Sequence, residues 1–136
     1  MSHRIKIKDD IIKSLRPVLE QYEKQLLFAY LFGSTARGES GPSSDIDIAV
    51  YFTRGTPESY FEEKLSLHAD LCRALKRSDV DVVILNNAVN IILLDEIVRT
   101  GLVLYDRDPG ARTDFELKIL HHALDFRSHR LAVMGV

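Results

Sequence analysis

The length, composition and charge of the chain are those of one small globular domain. Its 136 residues are 46% hydrophobic and 28% charged, and the formal net charge is −2. This balance argues against a dedicated nucleic-acid binder, which usually has a basic excess, so we expect no direct binding of nucleic acid. The chain has no room for a second full core, and we predict that residues 1–136 form a single domain.

The sequence carries no sign of export or of membrane insertion. The first ten residues, MSHRIKIKDD, lack the apolar segment of a secretory signal. No run reaches the roughly 18 apolar residues of a membrane span. The single cysteine, Cys72, has no intrachain partner for a disulfide and fits a reducing compartment. We therefore expect a cytoplasmic protein with no membrane attachment.

The first third of the chain predicts a helix followed by a buried strand. The helix is expected to begin at Asp9 or Asp10, because apolar residues then recur at helical spacing, at Ile11, Leu15, Val18 and Tyr22. Pro17 predicts a kink or two short helices. The nearly continuous apolar run Leu26–Phe32 predicts a buried strand.

The middle of the chain begins with a predicted turn at residues 33–44, rich in Gly, Ser and Pro, with a helical turn around residues 35–37. Residues 45–52 predict a second strand. Thr56 and Pro57 predict the start of a helix, as the N-cap and the first helical position. Its apolar face is predicted to carry Phe61, Leu65, Ala69, Cys72 and Leu75.

The last part of the chain predicts two further strands, at residues 80–85 and 102–105. One helix is predicted between these strands and another after the second of them. Asn87 is expected to cap a helix that runs to Thr100 and stops at Gly101. Asp108 and Pro109 open a final helix that reaches about residue 130. Its apolar residues are spread widely, which fits either a partner-binding surface or a helix wedged between two parts of the chain. The order of elements predicts an α/β domain with a small sheet.

Two carboxylates on the second strand indicate chemistry. Side chains of a strand alternate between its faces, so Asp45 and Asp47 share one face while Ile46, Ile48 and Val50 face the core. Carboxylate oxygens are the ligands that magnesium prefers. Two metal ions held by such groups can clamp the attacking and leaving oxygens of a phosphoryl displacement. An isolated Asp-x-Asp is more often only the solvent-facing side of a strand.

The turn before that strand makes the chemical interpretation the stronger one. Gly33 and Ser34 end a buried strand, and glycine lets the backbone approach a phosphate closely. The amides that follow can form an anion-binding nest, to which Ser34 adds a hydroxyl donor. Arg37 adds a positive charge suited to phosphate oxygens.

A third carboxylate would activate a nucleophile or complete a metal shell. Asp81, at the start of the third predicted strand, is our candidate. Asp79 would share the same face if the strand began two residues earlier. We favour Asp81, because Asp79 is expected in the preceding loop, where it would act as a turn or capping residue.

These segments together resemble the DNA polymerase beta-like nucleotidyltransferase superfamily. Its signature is Gly-Ser, a spacer, Asp-x-Asp on a neighbouring strand and a third acid on a later strand. Here it corresponds to Gly33-Ser34, Asp45-Ile46-Asp47 and Asp81.

Over nearly its whole length, the chain is most similar to the minimal nucleotidyltransferases (MNT), the antitoxins of HEPN-domain toxins. The similarity includes the Ala-Arg-Gly after Gly-Ser, the Val-Asp-Val-Val-x-Leu-Asn stretch that ends at Asn86, and the strand Leu-Val-Leu-Tyr before the last helix. The resemblance implies a three-stranded mixed core sheet flanked by helices, with Mg²⁺ and with ATP as substrate. Active members transfer AMP to a tyrosine of the toxin and silence it, which implies an assembly with the toxin.

The resemblance also implies the roles of the residues. Gly33 and Ser34 would hold the triphosphate, and Arg37 would assist them. Asp45 and Asp47 would ligate magnesium, and Asp81 would complete the site and activate the acceptor hydroxyl. Two alternatives stay open. One is a nucleotidyltransferase that modifies a small molecule such as an aminoglycoside, and the other is an antitoxin that masks its toxin by binding alone.

Overall fold

A computed structural model describes residues 3–38 and 45–133, with side chains described for residues 8–38 and 45–129. Residues 39–44 of the predicted turn lie outside the described part. In chain order the elements are α1 (His3–Glu20), β1 (Leu26–Phe32), α2 (Gly33–Ala36), β2 (Ile46–Phe52), α3 (Pro57–Leu75), β3 (Val80–Ile84), α4 (Ile91–Thr100), β4 (Leu102–Asp106) and α5 (Pro109–Val133). The predicted α/β class is confirmed.

The four strands form one mixed sheet in the order β3-β2-β1-β4. β1 pairs antiparallel with both β2 and β4, whereas β2 and β3 run parallel. The parallel pair is joined through α3, as a parallel connection requires. The sheet therefore contains the predicted mixed three-stranded core, and β4 adds a fourth strand at one edge.

Helices cover the two faces of the sheet and make two apolar cores. One core joins α1 and α3 to the side chains of alternate strand positions, including the predicted Ile46, Ile48 and Val50. The other core places Leu94 and Ile97 of α4 and residues of α5 against the opposite face. Strand alternation thus divides the sheet between two helical layers.

The first helix is longer and more regular than predicted. It begins at His3 and not at Asp9 or Asp10, and it continues through Pro17 to Glu20 without a break. Pro17 lies close to the C-terminal end, so the hydrogen bond that it removes is one of the last in the helix. Leu15 and Leu19 on either side of it are fully buried, and we attribute the unbroken helix to this packing.

The predicted apolar face of α3 is wrong in the first half of the helix and right near its C-terminal end, where Cys72 and Leu75 pack against the first core. Phe61 and Leu65 are 57% and 53% exposed, whereas Leu67 and Leu71 are fully buried. The helix start is as predicted, because the Thr56 side chain accepts a hydrogen bond from the Ser59 backbone and Pro57 occupies the first turn. The helix therefore forms as expected, but the side that meets the sheet is centred on Leu67 and Leu71 and overlaps the predicted face only near the C-terminal end.

The two C-terminal helices differ from the prediction in their limits and packing. α4 is capped by Asn90 and not Asn87, since the Asn90 side chain accepts from the first helical amides. In α5, Ile119 is buried while Leu117 and Leu124 are 62% and 56% exposed. Only one side of α5 therefore packs within the described chain, which argues against the wedged arrangement. No helix in the described ranges has the length and hydropathy needed to cross a bilayer.

Candidate active site

The sheet gathers the predicted carboxylates at one end of β2 and β3. Asp47 lies opposite Asp81 in the parallel register of β2 and β3, and opposite Phe32 in the antiparallel register of β1 and β2. Asp45 comes one residue before β2 and is exposed. The C-terminal end of β1, where Gly33 follows, meets the N-terminal ends of the other two strands at this point.

Gly33 occupies a position that only glycine fits without strain. Its φ of 76° lies in the left-handed region, which side chains with a Cβ disfavour. A Cβ atom at this position would also lie 2.5 Å from Oδ2 of Asp47. The backbone of the turn therefore passes directly beside the Asp47 carboxylate.

The short helix α2 is fastened to the start of β2. It begins at Gly33, two residues before the predicted helical turn, and includes Ser34, which is half-buried. Thr35 is 1% exposed, and its hydroxyl donates a hydrogen bond to the backbone oxygen of Asp45, at 3.3 Å. This contact fixes the glycine–serine turn relative to the Asp-x-Asp segment.

Negative charge accumulates around Asp47. Burial raises the pKa of its carboxyl above the usual range, and the carboxylates of Asp81, Asp45 and Glu96 raise that pKa further. Neighbouring negative charges disfavour the ionised form of a carboxyl group. A cation at this point would offset the repulsion, and perturbed carboxylates of this kind concentrate at functional sites.

Arg37 lies one helical turn after Gly33 and forms an ion pair across the site. Its Nη1 atom lies 3.1 Å from Oε1 of Glu96, a residue of α4. The pair joins the glycine–serine turn to the helix that covers the second core. Glu96 is thus a fourth carboxylate near the centre, beside the three that the sequence indicated.

The structure separates the two candidates for the third acid. Asp81 is exposed and stands opposite Asp47, whereas Asp79 precedes β3 as predicted. The Asp79 carboxylate is paired with the Arg77 guanidinium through two hydrogen bonds. Asp79 therefore serves the loop before β3, and the geometry favours Asp81 as the acid that faces the site.

The donor set suits a hard divalent cation. No three side chains of His, Cys, Asp or Glu in the described ranges are grouped closely enough to hold a metal ion. The carboxylates nevertheless supply only oxygen ligands, which magnesium prefers, and their mutual repulsion at Asp47 favours a cation. Asp45, Asp47 and Asp81 are the residues that would hold it, once their carboxylates draw closer together around the ion than they stand without it.

A cavity of about 710 Å³ lies elsewhere, between β2, α4 and α5. Its lining includes Tyr51, Phe115 and Phe126 but none of the carboxylates above. Tyr51 is four residues beyond Asp47 on β2, roughly 13 Å along the strand. We favour the carboxylates over this cavity as the centre of the chemistry, because the negative charges converge around Asp47 and not in the cavity.

Comparison with known proteins identifies the family of the chain. The model of the family described as polymerase beta nucleotidyltransferase matches residues 13–110, which is more than half of the chain. The chain belongs to the polymerase beta nucleotidyltransferase family. The matched range contains both the glycine–serine turn and all four carboxylates of the site. No curated protein matches this nucleotidyltransferase in sequence.

Solved structures with the same fold come from toxin–antitoxin complexes. A chain of a toxin–antitoxin complex with AMP-PNP is 27% identical, with a TM-score of 0.73 and coverage of 91% of this chain and 95% of that one. A chain of the MntA–HepT toxin–antitoxin complex is also 27% identical, with a TM-score of 0.61 and coverage of 94% and 93%.

A third structure is a tri-AMPylated Shewanella oneidensis HEPN toxin in complex with MNT antitoxin. The matching chain is 24% identical, with a TM-score of 0.68, and the match covers 94% of this chain and 96% of that one. At this identity the match shows the shared fold. These three matches span almost the full length of both chains, so the shared fold extends over nearly all of the residues compared.

Two residues of the site were not identified as functional from the sequence. Glu96 lies about 50 residues after the Asp-x-Asp segment, on a helix whose charged positions look like an ordinary solvent-facing side. Thr35 was predicted only as part of a helical turn. A small hydroxyl residue directly after Gly-Ser was the available signal for Thr35, whereas Glu96 had none, because only the packing of α4 brings it to Arg37.

Proposed function

We propose that this nucleotidyltransferase is an antitoxin that transfers AMP from ATP to a tyrosine hydroxyl of a cognate HEPN toxin and so neutralises it. The observation that carries the proposal is the alignment of Asp47 with Asp81 beside the glycine turn that contacts Asp47. The full-length likeness to chains of toxin–antitoxin complexes, one of them with AMP-PNP, supports the choice of nucleotide and of partner.

In this proposal, one group of residues binds the triphosphate of ATP and another binds the metal ion. Gly33 and Ser34 hold the triphosphate, and Arg37 offsets part of its charge. Asp45 and Asp47, together with Asp81, would hold magnesium. When bound, that ion stabilises the negative charge of the phosphates during displacement. The remaining work of the chain is to position the reactants and to arrange fixed charges around them.

The transfer is an in-line displacement at the α-phosphorus of ATP. The tyrosine oxygen of the toxin attacks the phosphorus and forms the new P–O bond, while the bond to the β-phosphate oxygen breaks and pyrophosphate leaves. The tyrosine proton passes to the Asp81 carboxylate, which lies on the strand farther from Gly33. The acceptor therefore approaches from the side of β3, opposite to the departing pyrophosphate.

A protein acceptor fits the surface better than a small molecule does. Leu117 and Leu124 of α5 are exposed apolar side chains, seven residues apart and thus on one side of the helix. Exposed apolar side chains grouped in this way are typical of surfaces that bind another protein. We also place the protein in the cytoplasm, because its one cysteine, Cys72, is a free thiol.

One experiment tests the function and its alternatives. The full chain is incubated with magnesium, ATP labelled at the α-phosphate and a co-encoded HEPN protein. Label on the HEPN protein is the expected result. Tight binding without label would show an antitoxin that acts by masking, and label only on an added aminoglycoside would show a small-molecule enzyme.

Matched variants test the site in the same assay. We expect Asp45→Ala/Asp47→Ala to abolish transfer, and Asp81→Ala to reduce it by at least about a hundredfold. Asp79→Ala is the control, since that carboxylate is already engaged by the Arg77 guanidinium. Full transfer by the double variant would refute the site, and equal losses in the Asp79 and Asp81 variants would refute the choice of third acid.

A further inference from the structure

We propose that Glu96 is a positioning residue for nucleotide binding, which acts by holding the Arg37 guanidinium beside the glycine–serine turn. The inference rests on the proposed nucleotide site and extends it to a residue of α4, a helix outside the signature segments. The direct observation is the contact between Arg37 Nη1 and Glu96 Oε1, at 3.1 Å.

The backbone at each end of this contact is fixed. Arg37 follows α2 directly, and its amide donates to the Gly33 carbonyl at 3.3 Å, so the guanidinium starts one turn from the proposed phosphate site. Glu96 lies between two buried residues of α4, Leu94 and Ile97, which anchor the helix in the second core. A long arginine side chain is thereby tied to a rigid support on the far side of the site.

The ion pair contributes little to folding. The side chains of Arg37 and Glu96 are 38% and 44% exposed, and pairs this open to water stabilise a fold weakly. Its effect is instead to restrict the rotamers of Arg37 before the nucleotide arrives. A guanidinium carries its five N–H donors in a planar fork that matches phosphate oxygens, and the contact with Glu96 sets the direction in which this fork points.

The neighbouring acid of α4 provides a matched control. Asp95 accepts hydrogen bonds from Arg99 at 2.7 Å and from Arg127 of α5 at 2.8 Å. It is therefore paired with arginines, as Glu96 is, but on the side of α4 that faces α5. Removal of Asp95 changes the packing of the same helix without touching Arg37.

The test is a double-variant cycle on the affinity of the full chain for AMP-PNP in magnesium, measured by titration calorimetry. Glu96→Ala is expected to raise Kd about two- to tenfold, which is the cost of ordering one long side chain. Glu96→Gln keeps an acceptor for Arg37 and should lie closer to the wild type. In an Arg37→Ala background, Glu96→Ala should change Kd by less than about twofold, because its effect acts through Arg37.

Other outcomes overturn the proposal. An equal rise in Kd with and without Arg37 would make Glu96 a direct ligand of the nucleotide or its metal. Tighter binding by Glu96→Ala would make it a competitor of the phosphates, and the same rise in Asp95→Ala would make its role purely structural. If the wild type failed to bind AMP-PNP, the proposed function would fall with it. If the wild type binds AMP-PNP but the effects of Glu96→Ala and Arg37→Ala on the binding free energy are additive, only the role of Glu96 is refuted.

Discussion

At the scale of single residues, the close approach of Gly33 to Asp47 links backbone conformation to chemistry. The positive φ of Gly33 turns the chain sharply at the end of β1, and the missing side chain leaves room for the Asp47 carboxylate. The same residue therefore forms the turn and permits the carboxylate to occupy its place. A change at Gly33 should affect stability and function by separate routes.

Substitution of two glycines separates the effect on stability from the effect on function. Gly33 and Gly38 have φ values of 76° and 72°, but a Cβ at Gly38 would meet no atom of the described residues within 4 Å. We expect each change to alanine to lower the free energy of unfolding by about 1 kcal/mol, measured in urea. Only Gly33→Ala should also lower AMP transfer, on the order of 10- to 100-fold, because it displaces Asp47. Equal transfer by the two variants would contradict this account.

A second residue-scale contact predicts a pH dependence of stability. The Tyr22 hydroxyl, just after α1, donates to Oδ2 of Asp70 in α3 at 2.5 Å. This bond, together with that from Arg73, holds the pKa of Asp70 below its usual value of 3.8. A depressed carboxyl pKa stabilises the folded state above the unfolded pKa, and that contribution is lost as the pH falls through the folded pKa.

The variant Tyr22→Phe tests that dependence. At pH 7 we expect it to lower the free energy of unfolding by about 1–2 kcal/mol, since it removes the part-buried hydrogen bonds of the Tyr22 hydroxyl with Asp70 and Ser66. The difference from the wild type should shrink below pH 3.8, as Asp70 becomes protonated. Asp70→Asn is the control, in which the effect of Tyr22→Phe should lose its pH dependence. Urea unfolding at several pH values measures both, and a constant difference would contradict the assignment.

At the scale of elements, α3 shows how a helix can be predicted while its buried face is not. Two stripes of this helix have apolar residues at spacings of three and four, one through Phe61 and Leu65 and one through Leu67 and Leu71. Periodicity alone does not distinguish them. The second stripe is the buried one, because the sheet and α1 meet that side of the helix.

Two leucines on these stripes make a direct test. Leu67→Ala should lower the free energy of unfolding by about 2–5 kcal/mol, because Leu67 is fully buried and its loss leaves a cavity. Leu65→Ala should change it by less than about 0.5 kcal/mol, since Leu65 is 53% exposed. Chemical denaturation of the two variants measures both values. A larger loss of unfolding free energy in Leu65→Ala than in Leu67→Ala would show that the face predicted from the sequence is the buried one.

At the scale of the whole molecule, both cores share one sheet. Alternate residues of β1 and β2 belong to opposite cores, so neither helical layer can detach without exposing strand residues of the other. We expect one cooperative unfolding transition, with coincident far-ultraviolet circular dichroism and tyrosine fluorescence curves. Separate transitions would contradict a single domain over residues 1–136.

Nucleotide binding should shift that transition as a whole. With magnesium and AMP-PNP at about 100 times Kd, linkage stabilises the folded state by about 2.7 kcal/mol. For a chain of this size we expect a rise in Tm of roughly 5–15 °C, measured by calorimetry. Asp45→Ala/Asp47→Ala should show no such rise. A rise in that variant equal to the wild type would place the nucleotide away from these carboxylates.

The sequence by itself determined the order of the elements, the mixed α/β class and the residues of the signature. Those features depend on local properties, such as strand alternation at Asp45 and Asp47, the cap at Thr56 and the apolar run of β1. The limits of α1 were predicted less well, because tertiary packing overrides the local effect of Pro17 near a helix end.

Only the tertiary structure decided which side chains meet. It set Asp81 opposite Asp47 and paired Asp79 with Arg77, although the two acids are just two residues apart. It also brought Glu96 to Arg37 across 59 residues of sequence. Contacts of this kind depend on strand register and on the rotation of whole helices, and these are fixed by packing over the entire core and not by any local pattern.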